Sequence, residues 1–209
     1  MTVHYYAFGS ICRGEVDRRS DIDLLACVSN ERVDLDPQKF SIYSHDRLAE
    51  MWQMGNPFAW HIHLESRLLY ASDGQDFVAD LGVPNPYGDR RVDCEKFARL
   101  FEESARALQA DENSNVFHLS CMFLAMRNFS TCYSFKGGAP IFSRQSPLML
   151  ENSVPMQREN FDVFVRARIL STRGYGEVLS KAEIQEARES ASAVIKWMRR
   201  LLSSESVNE

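Results

Sequence analysis

Short apolar runs separated by turn residues dominate the first seventy positions of the chain. Residues 3–8 predict a strand that ends at Gly9-Ser10, and residues 22–28 predict a second strand after a polar, charged loop. Residues 39–43 and 67–71 predict two further strands, the last of which ends before a turn at Asp73-Gly74. The pattern therefore indicates a small sheet at the N-terminal end.

The segment between the third and fourth strands has a different periodicity. After His45 the apolar spacing predicts a helix that ends at Gly55-Asn56-Pro57. Residues 58–65 fit either a second helix or a strand. A helix places His61 and Glu65 one turn apart on the same face, whereas a strand places His61, His63 and Glu65 on one face. Both geometries bring His61 and Glu65 together.

The second half of the chain has a helical pattern. Residues 82–89 are rich in helix-breaking and strand-breaking residues and indicate a domain boundary. We assign residues 1–82 to a first domain, 83–91 to a linker and 92–203 to a second domain. Apolar positions at helical spacing recur from about residue 93 and again over residues 117–135, 161–170 and 180–202. Residues 204–209 are expected to be a disordered tail.

These elements predict the fold class α+β: a mixed sheet flanked by helices, followed by a helical bundle. The 209 residues, 44% hydrophobic and 25% charged, are typical of a soluble globular protein. The net charge of −5 argues against extended binding to nucleic acid, which needs a basic surface. We find no apolar run long enough to span a membrane and no signal peptide. Five scattered cysteines favour reduced thiols in the cytoplasm.

The strongest chemical signal lies around the first predicted turn. Glycine allows the backbone at Gly9 to approach a ligand, and the amide and hydroxyl of Ser10 are suited to phosphate oxygens. Ten residues later, Asp21 and Asp23 occupy alternate positions and therefore lie on one face of the second strand. Two neighbouring carboxylates repel unless a cation lies between them, and Mg²⁺ prefers oxygen ligands together with substrate phosphates. The segment predicts a site for Mg²⁺ and a nucleoside triphosphate.

This segment resembles the signature of the polymerase β-like nucleotidyltransferase superfamily, in particular its minimal nucleotidyltransferase branch. That signature reads Gly-Ser-x-x-Arg-Gly, a spacer, then Ser-Asp-x-Asp-Leu. The matching positions are Gly9, Ser10, Arg13, Gly14, Ser20, Asp21, Ile22, Asp23 and Leu24. The resemblance is sharp over about twenty residues and looser to about residue 150. The second half is also similar to the helical bundle that accompanies this branch.

The resemblance implies transfer of a nucleoside monophosphate from a triphosphate to an acceptor, with release of pyrophosphate. Asp21 and Asp23 are the implied metal ligands and catalytic carboxylates. The implied nucleotide-binding residues are Gly9, Ser10, Arg13 and Ser20. Acceptors in the superfamily include antibiotic hydroxyls, protein tyrosines and nucleic-acid ends.

The chain departs from the superfamily pattern in one respect. A third acidic residue is usual on the next strand, whereas Ser41 or Tyr43 stands in that place here. Glu65 is a candidate general base in its stead, with His61 as a positioning group. An alternative interpretation is that His61 and Glu65 only hydrogen-bond to each other at a domain surface.

Three hypotheses for function remain open. The first is an active enzyme that acts on a small-molecule or protein hydroxyl. The second is a catalytically weak or inactive binding protein of the same fold, either an antitoxin or a nucleotide sensor. The third is an oligomeric scaffold, with a homodimer or another protein as partner. The acceptor, the preferred base and the oligomeric state are not predicted by the sequence.

Overall fold

A computed structural model describes residues 2–15, 22–29, 35–110 and 113–204. Four strands form one mixed sheet in the order β3-β2-β1-β4. Their bounds are β1 (Val3–Phe8), β2 (Asp23–Val28), β3 (Phe40–Ser44) and β4 (Ser66–Ala71). Strand β1 is antiparallel to both of its neighbours, and β2 pairs in parallel with β3. The predicted α+β class, with a mixed sheet and a C-terminal helical region, is confirmed at this level.

The register brings three strand ends to one edge of the sheet. Phe8, the last residue of β1, lies opposite Asp23, the first residue of β2. On its other side, Phe8 lies opposite Ser66, the first residue of β4. The turn that follows β1, the start of β2 and the residue that precedes β4 therefore lie at the same edge. This edge is where the sequence motif predicts chemistry.

Three helices cover one face of the sheet: α1 (His45–Gln53), α2 (Pro57–Glu65) and α3 (Phe77–Asp80). Because side chains alternate along a strand, every second residue of β1 and β2 enters the core beneath these helices. That core comprises Tyr6, Phe8, Leu25, Cys27, Leu48, Met51, Trp52, Ala59, Ile62 and Val78. On the opposite face, the ring of Tyr5 contacts the rings of Phe40 and Tyr70.

Residues 57–65 form a helix, so the helical alternative for this segment is correct. The Asn56 side chain accepts a hydrogen bond from the Phe58 amide at 2.8 Å, and Pro57 occupies the first turn. Asparagine at the N-cap and proline at the first helical position both favour helix initiation. The sequence predicts that α1 ends at Gly55-Asn56-Pro57. The last two of these residues are the N-cap and the first residue of α2.

Residues 82–86 are held against the hairpin formed by α1 and α2. The indole N–H of Trp52 donates to the Gly82 carbonyl at 2.9 Å, and that of Trp60 donates to the Asn85 carbonyl at 3.0 Å. The Asn85 side-chain amide donates to the Gln53 carbonyl at 2.6 Å. We call residues 82–86 the strap, because these bonds fix a segment that composition alone identifies as a linker.

The chain divides into two compact units, Met1–Gly88 and Asp89–Glu209. The second unit contains α4 (Arg90–Ala110), α5 (Asn115–Ser134), α6 (Ser146–Met149), α7 (Arg158–Arg173) and α8 (Lys181–Ser203). Helix α4 begins at Arg90, inside the segment predicted as a linker. The short helices α3 and α6 were not predicted. Residues 205–209 of the predicted tail lie outside the described residues.

Helix α5 is central to the second unit, because α4, α6, α7 and α8 all pack against it. Its fully buried residues include Leu119, Met122 and Phe129, as expected for the long apolar stretch in the sequence. The N-terminus of α8 has a capping box, in which the side chains of Ser180 and Glu183 each bond the other residue's backbone amide. No helix in the described part of the chain is long and apolar enough to cross a bilayer.

Candidate functional site

The turn after β1 depends on glycine. Gly9 has φ +75°, in the left-handed region, and opens a short 3-10 turn over Gly9–Ile11. The amides of Cys12 and Arg13 both donate to the Gly9 carbonyl, at 3.0 and 3.3 Å. The Glu15 amide donates to the Ser10 carbonyl at 2.9 Å. This bonding folds residues 9–15 back on themselves beside the end of β1.

The Asp23 carboxylate lies directly against the open side of Gly9. A Cβ atom built on Gly9 would lie 2.8 Å from Asp23 Oδ2 and 3.8 Å from His61 Nε2. The first distance is shorter than real Cβ contacts, so only glycine leaves the carboxylate where it is. Gly9, Asp23 and His61 thus converge on one point, although they come from β1, β2 and α2. The carboxylate oxygens of Asp23 and their exposure to solvent fit a Mg²⁺ ligand.

A second cluster connects the turn to the end of α2. The Arg13 guanidinium donates from Nη1 to Glu65 Oε2, and its Nε lies 3.1 Å from Glu15 Oε2 in a second ion pair. His61 Nε2 lies 2.9 Å from the same oxygen of Glu65. The side chains of Arg13, His61 and Glu65 are 19%, 14% and 13% exposed, so this ion pair is only weakly screened by solvent.

Helix geometry explains why His61 and Glu65 meet. They are separated by four residues on α2, so both project from the same face of the helix. Glu65 is the last residue of α2 and immediately precedes Ser66, which pairs with Phe8 at the end of β1. The carboxylate therefore reaches the site from the β4 side of β1, whereas Asp23 reaches it from the β2 side. The sequence predicted the His61–Glu65 pairing but not its connection to Arg13.

Cys12 is a packing residue in this turn. Its thiol donates to the Ala7 carbonyl at 3.4 Å, and burial raises the pKa of the thiol above its usual value. A raised pKa leaves little thiolate, the nucleophilic form, at neutral pH. The hydrogen bond and the raised pKa of the thiol favour a packing role for Cys12 over a reactive one.

Strand β3 supplies no carboxylate on the face that bears Asp23. In the parallel register, Ser41 pairs with Leu25 and Tyr43 pairs with Cys27. Leu25 and Cys27 share a face of β2 with Asp23, because they are two and four residues further along the strand. Ser41 and Tyr43 therefore occupy the face on which the superfamily signature implies a third acid.

Several predicted site residues can be located, and two cannot. Gly9, Ser10, Arg13 and Asp23 lie at the turn end of the sheet, and Glu65 joins them through Arg13. Asp21 and Ser20 lie outside the described residues. Within those residues, no group of three or more His, Cys, Asp or Glu side chains is arranged to hold a metal ion. Of the two predicted metal ligands, Asp21 and Asp23, only Asp23 can therefore be located at the site.

Sequence reasoning missed one member of the site. Glu15 shares the Arg13 guanidinium with Glu65, so two carboxylates face one arginine. The available signal was the Arg13-x-Glu15 spacing within a tight turn, where residues two apart are close enough for an ion pair.

Neither the protein-family models nor the curated protein sequences include a match to this chain. Function is therefore inferred from the geometry of the turn and from the motif residues.

Substitution of two glycines in the turn separates backbone strain from displacement of Asp23. Gly9 and Gly14 have nearly equal φ angles of +75° and +73°, but a Cβ on Gly14 would meet nothing within 4 Å. Alanine at either position incurs a similar left-handed strain of about 1–2 kcal/mol. Only Gly9→Ala also moves the Asp23 carboxylate. We expect Gly9→Ala to weaken binding of Mg²⁺ with a triphosphate analogue about tenfold more than Gly14→Ala does, equivalent to about 1.4 kcal/mol.

Isothermal titration calorimetry measures this difference in affinity. The two variants are compared under conditions in which the same fraction of each protein is folded. Equal affinities in the two variants would contradict a role for the Gly9–Asp23 contact in binding.

Proposed function

We propose that this protein is a Mg²⁺-dependent nucleotidyltransferase of the polymerase β-like type. It transfers a nucleoside monophosphate from a nucleoside triphosphate to a hydroxyl of a small molecule or a protein. The observation that carries the proposal is the contact between Gly9 and the Asp23 carboxylate at the shared edge of β1 and β2. A tight Gly-Ser turn beside an exposed carboxylate is the arrangement that a metal-bound triphosphate requires.

The roles of the residues follow from their chemistry. Asp21 and Asp23 hold Mg²⁺, while Gly9, Ser10, Arg13 and Ser20 bind the triphosphate. When bound, Mg²⁺ neutralises negative charge that develops on the phosphate oxygens during transfer. Arg13 already lies in the turn, where its guanidinium can exchange a carboxylate partner for a phosphate oxygen of similar geometry.

Glu65 acts as the general base in this proposal. The acceptor oxygen forms a bond to the α-phosphorus, the bond between that phosphorus and the bridging oxygen breaks, and pyrophosphate leaves. The hydroxyl proton passes to the Glu65 carboxylate. Both observed contacts of Glu65 are made by Oε2, so they do not use the hydrogen-bonding capacity of Oε1. His61 is a positioning residue that orients the carboxylate from one helical turn away.

The charge of the site favours certain acceptors. Among the described side chains of the turn and its partners, the three carboxylates of Asp23, Glu15 and Glu65 outnumber the two guanidinium groups of Arg13 and Arg67. The whole chain is also acidic, with a net charge of −5. A cationic small molecule such as an aminoglycoside is attracted to such a surface, as is a protein hydroxyl in a basic sequence. Nucleic-acid ends are disfavoured by the same charge.

Calorimetric binding of a triphosphate analogue with a nonhydrolysable α–β bridge, in the presence of Mg²⁺, tests the proposal. We expect the wild-type protein to bind, and Asp21→Ala/Asp23→Ala to bind at least about tenfold more weakly, a loss of about 1.4 kcal/mol or more. The charge-matched control is Glu50→Ala/Asp80→Ala, which removes two exposed acids from α1 and α3. Unchanged affinity in the motif variant would contradict the proposal, as would equal losses in both variants.

A second candidate function is a nucleotide-binding protein of the same type with little catalysis, either a nucleotide sensor or an antitoxin with a protein partner. The observation that favours it is the pair of uncharged residues, Ser41 and Tyr43, on the face of β3 next to Asp23. Intact binding of the analogue without pyrophosphate release, across nucleotides and acceptors, would favour a sensor. A stable complex with a co-expressed partner protein would favour an antitoxin.

A further inference from the structure

A cavity of about 560 Å³ lies within the second unit, at the place where two long helices end. Tyr133 and Ser134, the last two residues of α5, form one wall, and Ser204, the C-cap of α8, forms another. The volume falls within the range of roughly 300–1,000 Å³ that is typical of small-molecule sites. None of the described residues assigned to nucleotide binding lines this cavity.

Hydrogen bonds hold the walls of the cavity in place. The Thr131 hydroxyl donates to the Ile141 carbonyl, and the Ile141 amide donates to the Ser134 hydroxyl, both at 2.9 Å. On another side, the buried indole of Trp197 donates to the Asn152 carbonyl at 2.7 Å. The lining is therefore fixed before any ligand binds, which lowers the entropic cost of binding.

Part of the lining is apolar and in contact with solvent. Met149 is 52% exposed although its side chain is large and apolar, and Ile141 and Leu150 line the same cavity. The ring of Tyr133 stacks on the ring of Phe129 with centroids 6.2 Å apart, which holds the tyrosine in one orientation. A ligand that covers these side chains removes apolar surface from water, which is favourable. The cavity therefore fits a ligand with an apolar part.

The polar part of the lining contains one charged side chain of each sign, Lys136 and Glu151. Both are exposed. Within the described part of the chain, neither side chain forms a hydrogen bond or an ion pair, so the two do not neutralise each other. Unlike charges that face one cavity without pairing are complementary to a ligand that carries both charges.

The ends of the two helices add a negative potential to the cavity. A helix C-terminus is equivalent to about half a negative elementary charge, because its last carbonyls have no helical partner. Lys136 directly follows the end of α5 and offsets this potential there. The bond from Trp197 to the Asn152 carbonyl places the neighbouring Glu151 beside α8. The part of the cavity near α8 and Glu151 therefore favours a cationic group, and Lys136 favours an anionic one.

We propose that this cavity binds a free α-amino acid with an apolar side chain. Glu151 receives the ammonium group, and Lys136, whose ammonium lies on a flexible four-carbon stem, receives the carboxylate. The side chain of the ligand contacts Tyr133, Ile141 and Met149. A purely cationic ligand would leave Lys136 without a role, and a purely anionic one would do the same for Glu151. The inference does not depend on nucleotide transfer, because every lining residue belongs to the second unit.

An NMR titration of ¹⁵N-labelled full-length protein with leucine tests the proposal. We expect saturable shifts of the backbone amides of Gly137, Ile141 and Asn152. Three further ligands each lack one part of leucine: leucinamide has no carboxylate, N-acetylleucine has no ammonium group, and glycine has no apolar side chain. We expect each of them to bind at least about tenfold more weakly than leucine.

Two variants identify which charge binds which end of the ligand. Lys136→Gln is expected to lower the affinity for leucine about tenfold and to leave the affinity for leucinamide unchanged. Glu151→Gln is expected to lower the affinity for leucine to a similar extent and to leave the affinity for N-acetylleucine unchanged. Lys181→Gln and Glu189→Gln are the matched controls, because they remove one exposed charge of each sign from the first half of α8. We expect both controls to bind leucine as the wild-type protein does.

Three results would overturn the proposal. The first is the absence of saturable shifts with leucine up to its limit of solubility. The second is equal affinity for leucine, leucinamide and N-acetylleucine, which would indicate a purely apolar groove. The third is equal loss of affinity in the cavity variants and in their controls, which would indicate that only the overall charge of the protein matters.

Discussion

Glu65→Gln is expected to slow nucleotide transfer by about a hundredfold to ten-thousandfold, the usual contribution of a positioned general base. Glutamine keeps the size of the side chain but cannot take a proton from the acceptor hydroxyl. It also releases Arg13 from its ion pair with Glu65, so the guanidinium remains available for phosphate. We therefore expect affinity for the triphosphate to be unchanged or tighter while the rate of transfer falls.

The measurement is single-turnover release of pyrophosphate, with the acceptor chosen from a panel of aminoglycosides and tyrosine peptides, alongside calorimetry with the nonhydrolysable analogue. Glu15→Gln is the matched control, because it removes the other carboxylate that faces Arg13 without removing the base. We expect its rate to stay within about threefold of the wild-type rate. A similar rate in Glu65→Gln would exclude Glu65 as the base. A parallel loss of rate and affinity would indicate that Glu65 only maintains the fold of the turn.

Gly55→Ala is expected to lower the free energy of unfolding by roughly 3 kcal/mol or more. Gly55 has φ +63°, and a Cβ on it would lie 2.3 Å from the Pro86 carbonyl oxygen and 2.5 Å from the Asn85 carbonyl oxygen. These are backbone atoms of the strap, so no rotation of a side chain relieves the clash. The strap must move away, and its hydrogen bonds to Trp52 and Trp60 are lost with it.

Gly74→Ala is the control for the backbone part of this effect. Gly74 has φ +76°, but a Cβ there would meet nothing within 4 Å. We expect only the left-handed strain, about 1–2 kcal/mol. Urea unfolding followed by tryptophan fluorescence compares the two variants with the wild-type protein. Equal destabilisation would show that the close packing of the strap on Gly55 contributes nothing to stability.

Most of the sheet could be predicted because its apolar runs are short and clearly bounded. Gly9-Ser10 ends β1, and Gly55-Asn56-Pro57 separates α1 from α2, so local chemistry is sufficient at both places. The strap could not be predicted, because Val83, Pro84 and Pro86 have the composition of a flexible linker. Its order comes from the indole groups of Trp52 and Trp60, some 25–30 residues away, and single-sequence patterns carry no information about such contacts.

The site was predicted only in part for the same reason. Alternation along β2 gave the orientation of Asp23, and helical periodicity gave the pairing of His61 with Glu65. The connection between these two groups depends on the strand order β3-β2-β1-β4, which places β1 between β2 and β4. The contact between the rings of His4 and His45 was likewise not predictable, because the two residues are 41 positions apart in the sequence.

The strap also changes where the first unit can be cut as a fragment. A fragment that stops at Gly82, the boundary suggested by composition, would lack Asn85 and leave the Trp60 indole without its acceptor. A fragment that continues to Gly88 retains every bond of the strap and coincides with the division between the two units. Expression of the first unit as a separate polypeptide should therefore use the later boundary, although the sequence there is rich in proline and glycine.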